Sequence, residues 1–288
     1  MSDSLATMVK DLQAWIGRSR LLHDELSAQA VRRLVATLGC EPACLDHGAA
    51  VPTHWLSILF DDAAPANMLG RDGHLKLGEF LPPVPLPRRM LAGRKLTFER
   101  PLCIAKPLSR VSTITKIEHK SGRSGELIFV SVEHIISDAE GTIAIELHDT
   151  AYREEASAKP APRIQPTKDE RIAAWQVPFT PDTTLLFRYS ALTFNSHRIH
   201  YDADYVRDVE GYPGLVVNGG LTTIMLLEAA RRHTGRELKT YGLRMRKPLF
   251  VNSPATLCGG PLTGNQMTLW AVDEAGDVLI DIEAEYVA

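Results

Sequence analysis

The first half of the chain contains three runs in which apolar and polar residues alternate. They are residues 111–119, 127–137 and 142–154. In the last run Ile143, Ile145 and Leu147 are separated by smaller or polar residues, as expected for strands with one buried face. Residues 138–141 read Asp-Ala-Glu-Gly and are typical of a hairpin turn. The pattern predicts consecutive antiparallel strands.

Two other segments have the apolar spacing of helices. Residues 20–38 place apolar residues about four positions apart and are followed by Gly39, which predicts a helix with its stop signal. Residues 219–235 are apolar on nearly every side of their first turns, and Asn218 precedes them at an N-cap position. Because a helix without a polar face is usually buried, we predict that this second helix lies in the core.

The second half of the chain repeats features of the first half in the same order. TFERPLCIAKP at 97–107 matches RMRKPLFVNSP at 244–254, with the Pro-Leu pairs aligned. SDAEGTIAIEL at 137–147 matches VDEAGDVLIDI at 272–282, and each contains an acidic turn that ends in glycine. The repeats predict a duplicated antiparallel sheet.

A proline-rich segment separates the two repeats. Residues 154–168 contain three prolines, several charges and few large apolar residues, which is the composition of a linker. We therefore predict two units, residues 1–153 and residues 169–288, joined by residues 154–168.

Composition and charge exclude several classes of protein. The 288 residues are 44% apolar and 23% charged, which is sufficient for a packed core. The net charge is −3 and there is no basic stripe, so nucleic acid is not an expected partner. No run of about 18 apolar residues and no secretory pattern occurs, so we predict a soluble, cytoplasmic protein that does not enter a membrane.

The sequence contains no spacing typical of a metal or cofactor site. The cysteines are Cys40, Cys44, Cys103 and Cys258, and only the first two are close together. Without a second cysteine pair or histidines at ligand spacing, reduced thiols are favoured over a zinc site. No glycine-rich phosphate motif opens a helix after a strand. We therefore expect no metal and no redox cofactor.

A dense group of hydrogen-bonding residues lies in the stretch TFNSHRIHYD, residues 193–202. It follows a run that we interpret as a strand, and its polar members are Asn195, His197, Arg198, His200 and Asp202. An isolated histidine at such a place is more often a structural residue than a catalytic one. Because an imidazole titrates near neutral pH, His200 is nevertheless suited to moving a proton.

The residues YSALTFNSHRIHYDADYV, together with GYPGLVVNGG, resemble the MaoC-like hydratase and dehydratase family. Its usual signature runs Gly-Asp-x-Asn-Pro-apolar-His-x-Asp. On this pattern His200 occupies the place of the catalytic histidine, Ile199 the apolar position and Asp202 the following acid. Asn195 occupies the position usually held by the catalytic aspartate.

The resemblance covers roughly residues 20–288. In the first half, LPPVPLPRRMLAG and KSGRSGELIFVSVEH are similar to one branch of the family. That branch contains mesaconyl-C4-CoA and itaconyl-CoA hydratases and the mitochondrial-type 3-hydroxyacyl thioester dehydratases.

The resemblance implies an α+β double hotdog with two antiparallel sheets, one from each half. Residues 1–153 would form a degenerate hotdog whose central helix is eroded, and residues 169–288 a catalytic hotdog whose helix is intact. A double hotdog pairs its sheets within one chain, so a monomer could be complete. A homodimer remains possible.

The resemblance also implies a mechanism. His200 would take a proton from water and return it to the same face of the substrate, while Asn195 holds the water through its amide. An asparagine cannot take up a proton, so the two-base scheme of the Asp/His members cannot operate unchanged. The amide matching Gly219, at the start of the buried helix, would bind the thioester oxygen. His197 and Asp202 are expected to be structural, with Asp202 as a possible helix cap.

Several further residues are candidates for binding the substrate. Arg244 and Arg246 are expected to share a strand face and to meet CoA phosphates or a substrate carboxylate, with a solvated sheet edge as the alternative. The candidates are Tyr189, Arg188, Arg198, Asn218, Arg244, Arg246 and Lys247.

The predicted activity is that of a hydro-lyase adding water to a 2-enoyl-CoA thioester. The similar branch favours a short, branched dicarboxylic substrate, mesaconyl-C4-CoA or itaconyl-CoA, which gives citramalyl-CoA. The alternatives are a 3-hydroxyacyl-CoA or acyl-carrier-protein dehydratase of fatty-acid metabolism and a non-catalytic module that binds acyl thioesters. CoA is carried by the substrate, so no separate cofactor is implied.

Overall fold

The molecule is organised around one antiparallel sheet. A computed structural model describes residues 9–40, 44–122, 125–154 and 171–288, and in this part of the chain the sheet has ten strands. The first half contributes β1 (Ser19–Glu25), β3 (Arg88–Phe98), β5 (Pro107–Gly122), β6 (Gly125–Asp138) and β7 (Gly141–Arg153). The second half contributes β8 (Trp175–Phe179), β9 (Leu238–Met245), β10 (Ala255–Gly259), β11 (Gln266–Asp273) and β12 (Val278–Tyr286). The short strands β2 (Ala50–Val51) and β4 (Leu102–Cys103) pair separately.

The order of the strands confirms the predicted duplication. The sheet runs β1-β5-β6-β7-β3 and then β9-β12-β11-β10-β8, so the second half mirrors the first. Strands β3 and β9 pair antiparallel from Gly93 opposite Arg244 to Thr97 opposite Thr240. The two sheets of the predicted double hotdog are therefore joined edge to edge. The three alternating runs form β5, β6 and β7, and the acidic turn lies between Asp138 and Gly141.

The two halves differ in the helix that covers the sheet. Apart from a helical segment at residues 9–13, the α-helices in the described residues are α1 (Ala28–Leu38), α2 (Thr183–Leu192), α3 (Ala203–Asp208) and α4 (Gly219–Thr234). Helix α4 is the predicted core helix: Asn218 caps its start, and Gly235 ends it with φ 63°. In the first half a 3₁₀ helix of six residues, Thr53–Ile58, packs against α4. The central helix is thus intact in one half and eroded in the other.

Two predicted elements were wrong. Residues 20–38 form strand β1 and then helix α1, which Ser27 caps by accepting a hydrogen bond from the backbone of Ala30 at 3.1 Å. The four-residue apolar spacing fits a helix but also strand alternation, and pairing with β5 decides the structure of the first part. The run before Asn195 is not a strand but helix α2, whose N-cap is Asp182.

The predicted linker 154–168 lies outside the described residues apart from Glu154, so the proposed boundary remains a prediction. Strand β7 ends at Arg153, and β8 begins at Trp175. None of the helices in the described residues has the length and apolar character needed to cross a membrane.

A buried polar contact connects the two halves where the 3₁₀ helix packs against α4. His54, in the 3₁₀ helix, lies with its Nε2 3.2 Å from Oε2 of Glu228, and both side chains are only 3% exposed. Arg231 donates to Oε1 of Glu228 at 2.6 Å. Burial by itself would raise the pKa of Glu228, but His54 and Arg231 outweigh it and hold the pKa well below its ordinary range. Glu228 is therefore charged inside the core.

We predict that Glu228→Gln destabilises the protein by about 3 kcal/mol at neutral pH, because His54 loses its charged partner. Since the folded pKa is depressed, this stabilisation exists above the unfolded pKa of about 4.3 and fades as the pH falls below it. Thermal unfolding of both proteins from about pH 7 to pH 3 should show their Tm values converging at acid pH. Glu274→Gln, on an exposed turn, is the control. A Tm difference that does not change with pH would contradict the assignment.

Candidate active site

A cavity of about 610 Å³ opens between the start of α4 and the part of the sheet that belongs to the first half. Both halves line it, because the eroded 3₁₀ helix ends before it covers the whole inner face of β3, β5, β6 and β7. The residues of the TFNSHRIHYD stretch that line it are Thr193, Phe194, Asn195, Ser196, His197, Ile199 and His200. The predicted catalytic residues Asn195, His200 and Gly219 thus reach one cavity.

His200 presents one free ring nitrogen to this cavity. It lies in a 3₁₀ turn, Arg198–His200, and its side chain is buried. Its Nδ1 lies 2.7 Å from the carbonyl oxygen of Val216, and because a carbonyl can only accept, Nδ1 carries the hydrogen. Burial lowers the pKa of His200, although the Val216 carbonyl acts in the opposite direction. The imidazole is therefore neutral near pH 7, with Nε2 as its basic atom.

Asn195 is oriented by the backbone around it. Its Oδ1 accepts a hydrogen bond from the backbone N–H of His197 at 2.9 Å, and its own N–H donates to the Ser190 carbonyl at 2.9 Å. With Oδ1 occupied in this way, the Nδ2 group remains available as a donor. Asn195 can therefore hold a water molecule by donating to its oxygen.

The start of α4 supplies a backbone donor. The N–H of Gly220 is bound by Oδ1 of Asn218 at 2.8 Å, whereas the N–H of Gly219 has no partner among the described residues. This N–H lies at the positive end of the helix dipole and is suited to an oxyanion. A Cβ at position 220 would lie 2.6 Å from the hydroxyl of Tyr189, so the helix start and Tyr189 are in close contact.

A loop from the first half holds the catalytic turn. The backbone N–H of Arg198 donates to the carbonyl of Asp72 at 2.9 Å, and the hydroxyl of Ser196 donates to the carbonyl of Gly73. Gly73 has φ +87°, and a Cβ there would lie 1.9 Å from the carbonyl oxygen of Ser196. Only glycine allows this approach. The eroded half therefore positions the turn that contains the predicted catalytic residue His200.

The chain is similar to known hydratases and dehydratases. The model of the family described as hydroxyacyl-thioester dehydratase type 2 matches residues 53–251. The chain belongs to the hydroxyacyl-thioester dehydratase type 2 family. It is 39% identical over 278 residues to a mesaconyl-C4-CoA hydratase of Chloroflexus aurantiacus, covering 96% of this chain and 98% of the relative. A mitochondrial hydroxyacyl-thioester dehydratase type 2 of Schizosaccharomyces pombe is 30% identical over 282 residues, covering 87% and 91%.

Solved structures support the double-hotdog fold. A MaoC-like dehydratase from Phytophthora capsici superimposes with a TM-score of 0.68 at 14% identity, covering 94% of this chain and 96% of that one. A double-hotdog protein from Mycobacterium tuberculosis superimposes with a TM-score of 0.59 at 13% identity, covering 94% and 96%. The predicted fold class and family are confirmed, and the family is one of hydro-lyases, as the sequence analysis expected.

The predicted substrate-binding residues divide into two groups. Tyr189, Asn218, Arg246 and Lys247 line the cavity. Arg188, Arg198 and Arg244 do not, and their contacts with the substrate remain predictions.

Each of these departures has a structural reason. Arg244 is exposed on the face of β9 opposite to Leu243, where Asp281 is its cross-strand partner. Arg246, just after the end of the strand, pairs with Asp281 at 2.7 Å, so the two arginines reach the same face, as expected. Arg198 donates to Asp202 at 2.7 Å, and Asp202 caps α3, as its structural alternative predicted. Arg188 is exposed on α2.

Two groups of side chains in the described residues have donor atoms close enough to hold a metal ion. They are Asp72, His74 and His197, and His134, Glu146 and His148. Arg89 lies 3.4 Å from Asp72, and Arg94 pairs with Glu146, so each carboxylate already faces a guanidinium. This positive charge disfavours a cation. The sequence spacing did not reveal either group, and the expected absence of a metal remains a prediction.

His197 lies between the first of these groups and the catalytic histidine. Its ring centroid is 4.0 Å from that of His74 and 5.3 Å from that of His200. Burial, reinforced by His200, lowers the pKa of His197 to about 3. A neutral ring beside His200 adds no repulsion when His200 takes up a proton.

We predict that His200→Ala lowers kcat/KM at least about 10³-fold, because the proton acceptor is lost. In the wild-type protein the acid limb of the pH profile of kcat/KM should lie below about pH 6.5, since burial depresses the pKa of His200. Initial rates between pH 5 and pH 8 measure both effects. A midpoint above the ordinary histidine value would contradict a buried, neutral base.

We predict that Gly220→Ala lowers kcat/KM at least about tenfold, because the added methyl group collides with the Tyr189 hydroxyl at the start of α4. Adding Tyr189→Phe removes the colliding oxygen and should restore part of the lost rate. Gly214→Ala, with nothing within 4 Å of the added carbon, is the matched control. If Gly220→Ala leaves kcat/KM unchanged, the reaction does not depend on the present geometry of the start of α4.

Proposed function

We propose that the protein adds water to a short, branched 2-enoyl-CoA thioester that carries a second carboxylate, with mesaconyl-C4-CoA as the first candidate. The observation that supports the reaction is that two otherwise satisfied groups each keep one free position in the same cavity. These positions are Nε2 of His200 and the N–H of Gly219.

The proposed reaction begins with water held by the Nδ2 group of Asn195. Nε2 of His200 takes a proton from this water. At the same time the oxygen of the water forms a bond to the β-carbon of the enoyl group. The electron pair of the double bond moves toward the thioester, whose oxygen becomes an enolate oxygen bound by the N–H of Gly219. Nε2 then returns its proton to the α-carbon, so that both groups add to the same face.

The acyl group is proposed to lie between α4 and the inner face of the first half. The 39% identity to a mesaconyl-C4-CoA hydratase supports a dicarboxylic substrate. Charged and polar side chains, among them Arg94, His134 and Glu146, line this part of the cavity. Burying a long hydrocarbon chain against such groups would remove their water without replacing it.

Dehydration of a 3-hydroxyacyl thioester in fatty-acid metabolism is the second candidate. The family model and the relative from Schizosaccharomyces pombe support it, and the same residues would run the reaction in reverse. A non-catalytic binding module is the third candidate. The neutral His200 and the open N–H of Gly219 favour catalysis over binding alone.

Two finer expectations belong with this proposal. Because both sheets pair within one chain through β3 and β9, a monomer should contain a complete site. A homodimer and a cytoplasmic location stay predictions, which light scattering of the pure protein and microscopy of a tagged chain would test.

We predict that the pure protein adds one water to mesaconyl-C4-CoA and itaconyl-CoA faster than to crotonyl-CoA or a long 2-enoyl-CoA, because the acyl end of the cavity is charged. Mass spectrometry after incubation with wild-type and His200→Ala proteins measures this. Preference for the long chain would replace the hydratase proposal with the fatty-acid dehydratase. Binding without turnover by the wild-type protein would support the module instead.

A further inference from the structure

The inner face of the sheet changes character between the two halves. Beneath α4, in the second half, it carries apolar side chains such as Leu243, Ile280 and Ile282. Across the β3–β9 junction, Leu243 is the partner of Arg94. From there the same face continues with charged and polar residues, which we call the polar floor. The polar floor consists of Arg94 on β3, Arg110 on β5, His134 on β6, and Glu146 and His148 on β7.

Strand pairing holds the polar floor together. His134 is opposite Glu146, and Arg94 is opposite His148, so all four side chains share one face. His134 is also hydrogen-bonded to the hydroxyl of Ser112 at 2.7 Å. Burial lowers the pKa of His134 to about 3, with the Glu146 charge opposing and the Arg110 charge adding to the effect. His134 therefore contributes no charge near neutral pH.

Arg94 and Glu146 form a two-point ion pair in the floor. Nε of Arg94 donates to Oε1 of Glu146, and Nη2 donates to Oε2 at 3.0 Å. Burial disfavours the charged form of both residues, but the opposite charge of the partner outweighs this effect. The pKa of Arg94 is therefore raised, and the pKa of Glu146 is held well below its usual range. Nη1 of Arg94 makes no hydrogen bond to the described residues. The pair is neutral overall and keeps one donor for a ligand.

Arg110 adds an uncompensated positive charge. Its Nη2 donates to the carbonyl of Phe60 at 3.0 Å, and no carboxylate of the described residues lies within ion-pair distance. Its Nε is buried without a hydrogen-bond partner. Burial lowers the pKa of Arg110, but a guanidinium stays protonated at any physiological pH. Arg110 thus lines the cavity with a charge that has no ion-pair partner among the described residues.

The acidic residues near Arg110 do not remove this surplus. Asp62 is paired with Arg20 at 2.7 Å. Burial and the neighbouring Asp24 raise the pKa of Asp61 to about 7, although Arg110 opposes the rise. Asp61 is therefore largely protonated below neutral pH, and the polar floor carries a net positive charge there.

We propose that the polar floor is a carboxylate subsite, in which Arg110 and Nη1 of Arg94 bind the carboxylate at the far end of the acyl group. This inference rests on the proposed function and assigns its specificity to named residues. Tyr189 relates the floor to the reacting end, because its hydroxyl adjoins Gly220 and the positive charge of Arg94 acts on its phenol. A short acyl group thus meets both sites.

The subsite selects by the cost of leaving charges unpaired. A diacid replaces the water of Arg110 and Arg94 with a charge-assisted hydrogen bond, whereas a methyl group in the same place removes that water and returns nothing. Sites that are built for a polar group reject analogues lacking it more strongly than apolar pockets reject an added group. The polar floor therefore favours the diacid over neutral enoyl thioesters.

The test compares mesaconyl-C4-CoA with 3-methylcrotonyl-CoA, which carries a methyl group in place of the far carboxylate. We expect Arg110→Gln to lower kcat/KM for the diacid about 100-fold and to change that for the neutral thioester less than about threefold. Arg110→Lys should recover part of the diacid rate, because it keeps the charge. Arg32 is exposed on α1, and Arg32→Gln should leave kcat/KM unchanged for both substrates.

Arg94 needs a paired variant, because Arg94→Gln alone would leave Glu146 charged without its partner. Arg94→Gln/Glu146→Gln should keep Tm near that of the wild type and lower the diacid preference at least about tenfold. If the variants lower kcat/KM equally for both thioesters, the subsite proposal is wrong. It is also wrong if Arg110→Gln leaves kcat/KM for the diacid unchanged.

Binding measurements test the subsite independently of the proposed reaction. Calorimetry of mesaconyl-C4-CoA and 3-methylcrotonyl-CoA with the His200→Ala protein, with and without Arg110→Gln, gives the affinities without turnover. If the wild-type protein hydrates neither thioester, the proposed function fails, and an Arg110-dependent preference for the diacid in binding would still support the subsite. If the wild-type protein hydrates the neutral thioester and binds the diacid no better, the hydratase stands and the subsite is wrong.

Discussion

The backbone pairing of β3 with β9 determines most of this molecule. It joins the sheets of the two halves along five residue pairs and makes their inner faces one continuous surface. A single long helix, α4, covers the part that belongs to the second half, while a 3₁₀ helix of six residues covers only a portion of the rest. The space left uncovered is the cavity. The catalytic half and the eroded half therefore contribute to one site.

This arrangement assigns different tasks to the two halves. The second half provides His200, Asn195 and the start of α4, whose polar atoms are satisfied except for the positions that face the cavity. The first half supplies the loop around Gly73 that holds the catalytic turn. In this way the loss of a helix from one hotdog unit gives the other unit a chamber for its substrate.

The protein also buries charge. Glu228 on α4 is stabilised by His54 and Arg231, and Glu146 on the sheet by Arg94. Both carboxylates remain charged because their partners outweigh the cost of burial. Arg110 has no such partner among the described residues, and this difference is the basis of the proposed carboxylate subsite.

The sequence by itself determined the elements whose pattern is local. Alternation identified β5, β6 and β7, capping signals identified α4, and the internal repeat indicated the duplicated sheet. The short motif around His200 identified the residues that meet at the catalytic end. Local spacing failed for residues 20–25, where a spacing of four fits helix and strand alike and only pairing with β5 decides. It failed also for α2.

Tertiary structure alone decided which distant residues meet. Gly73 contacts Ser196 across 123 positions, and His54 contacts Glu228 across 174. Arg94 and Glu146 were hidden because each is an ordinary polar residue within its own strand, and only the register places them on one inner face. Periodicity reveals which face of an element is buried, whereas the partner that lies opposite depends on the path of the whole chain. For that reason the sequence predicted the family and its reaction, whereas only the folded sheet brought the residues of the polar floor onto one face.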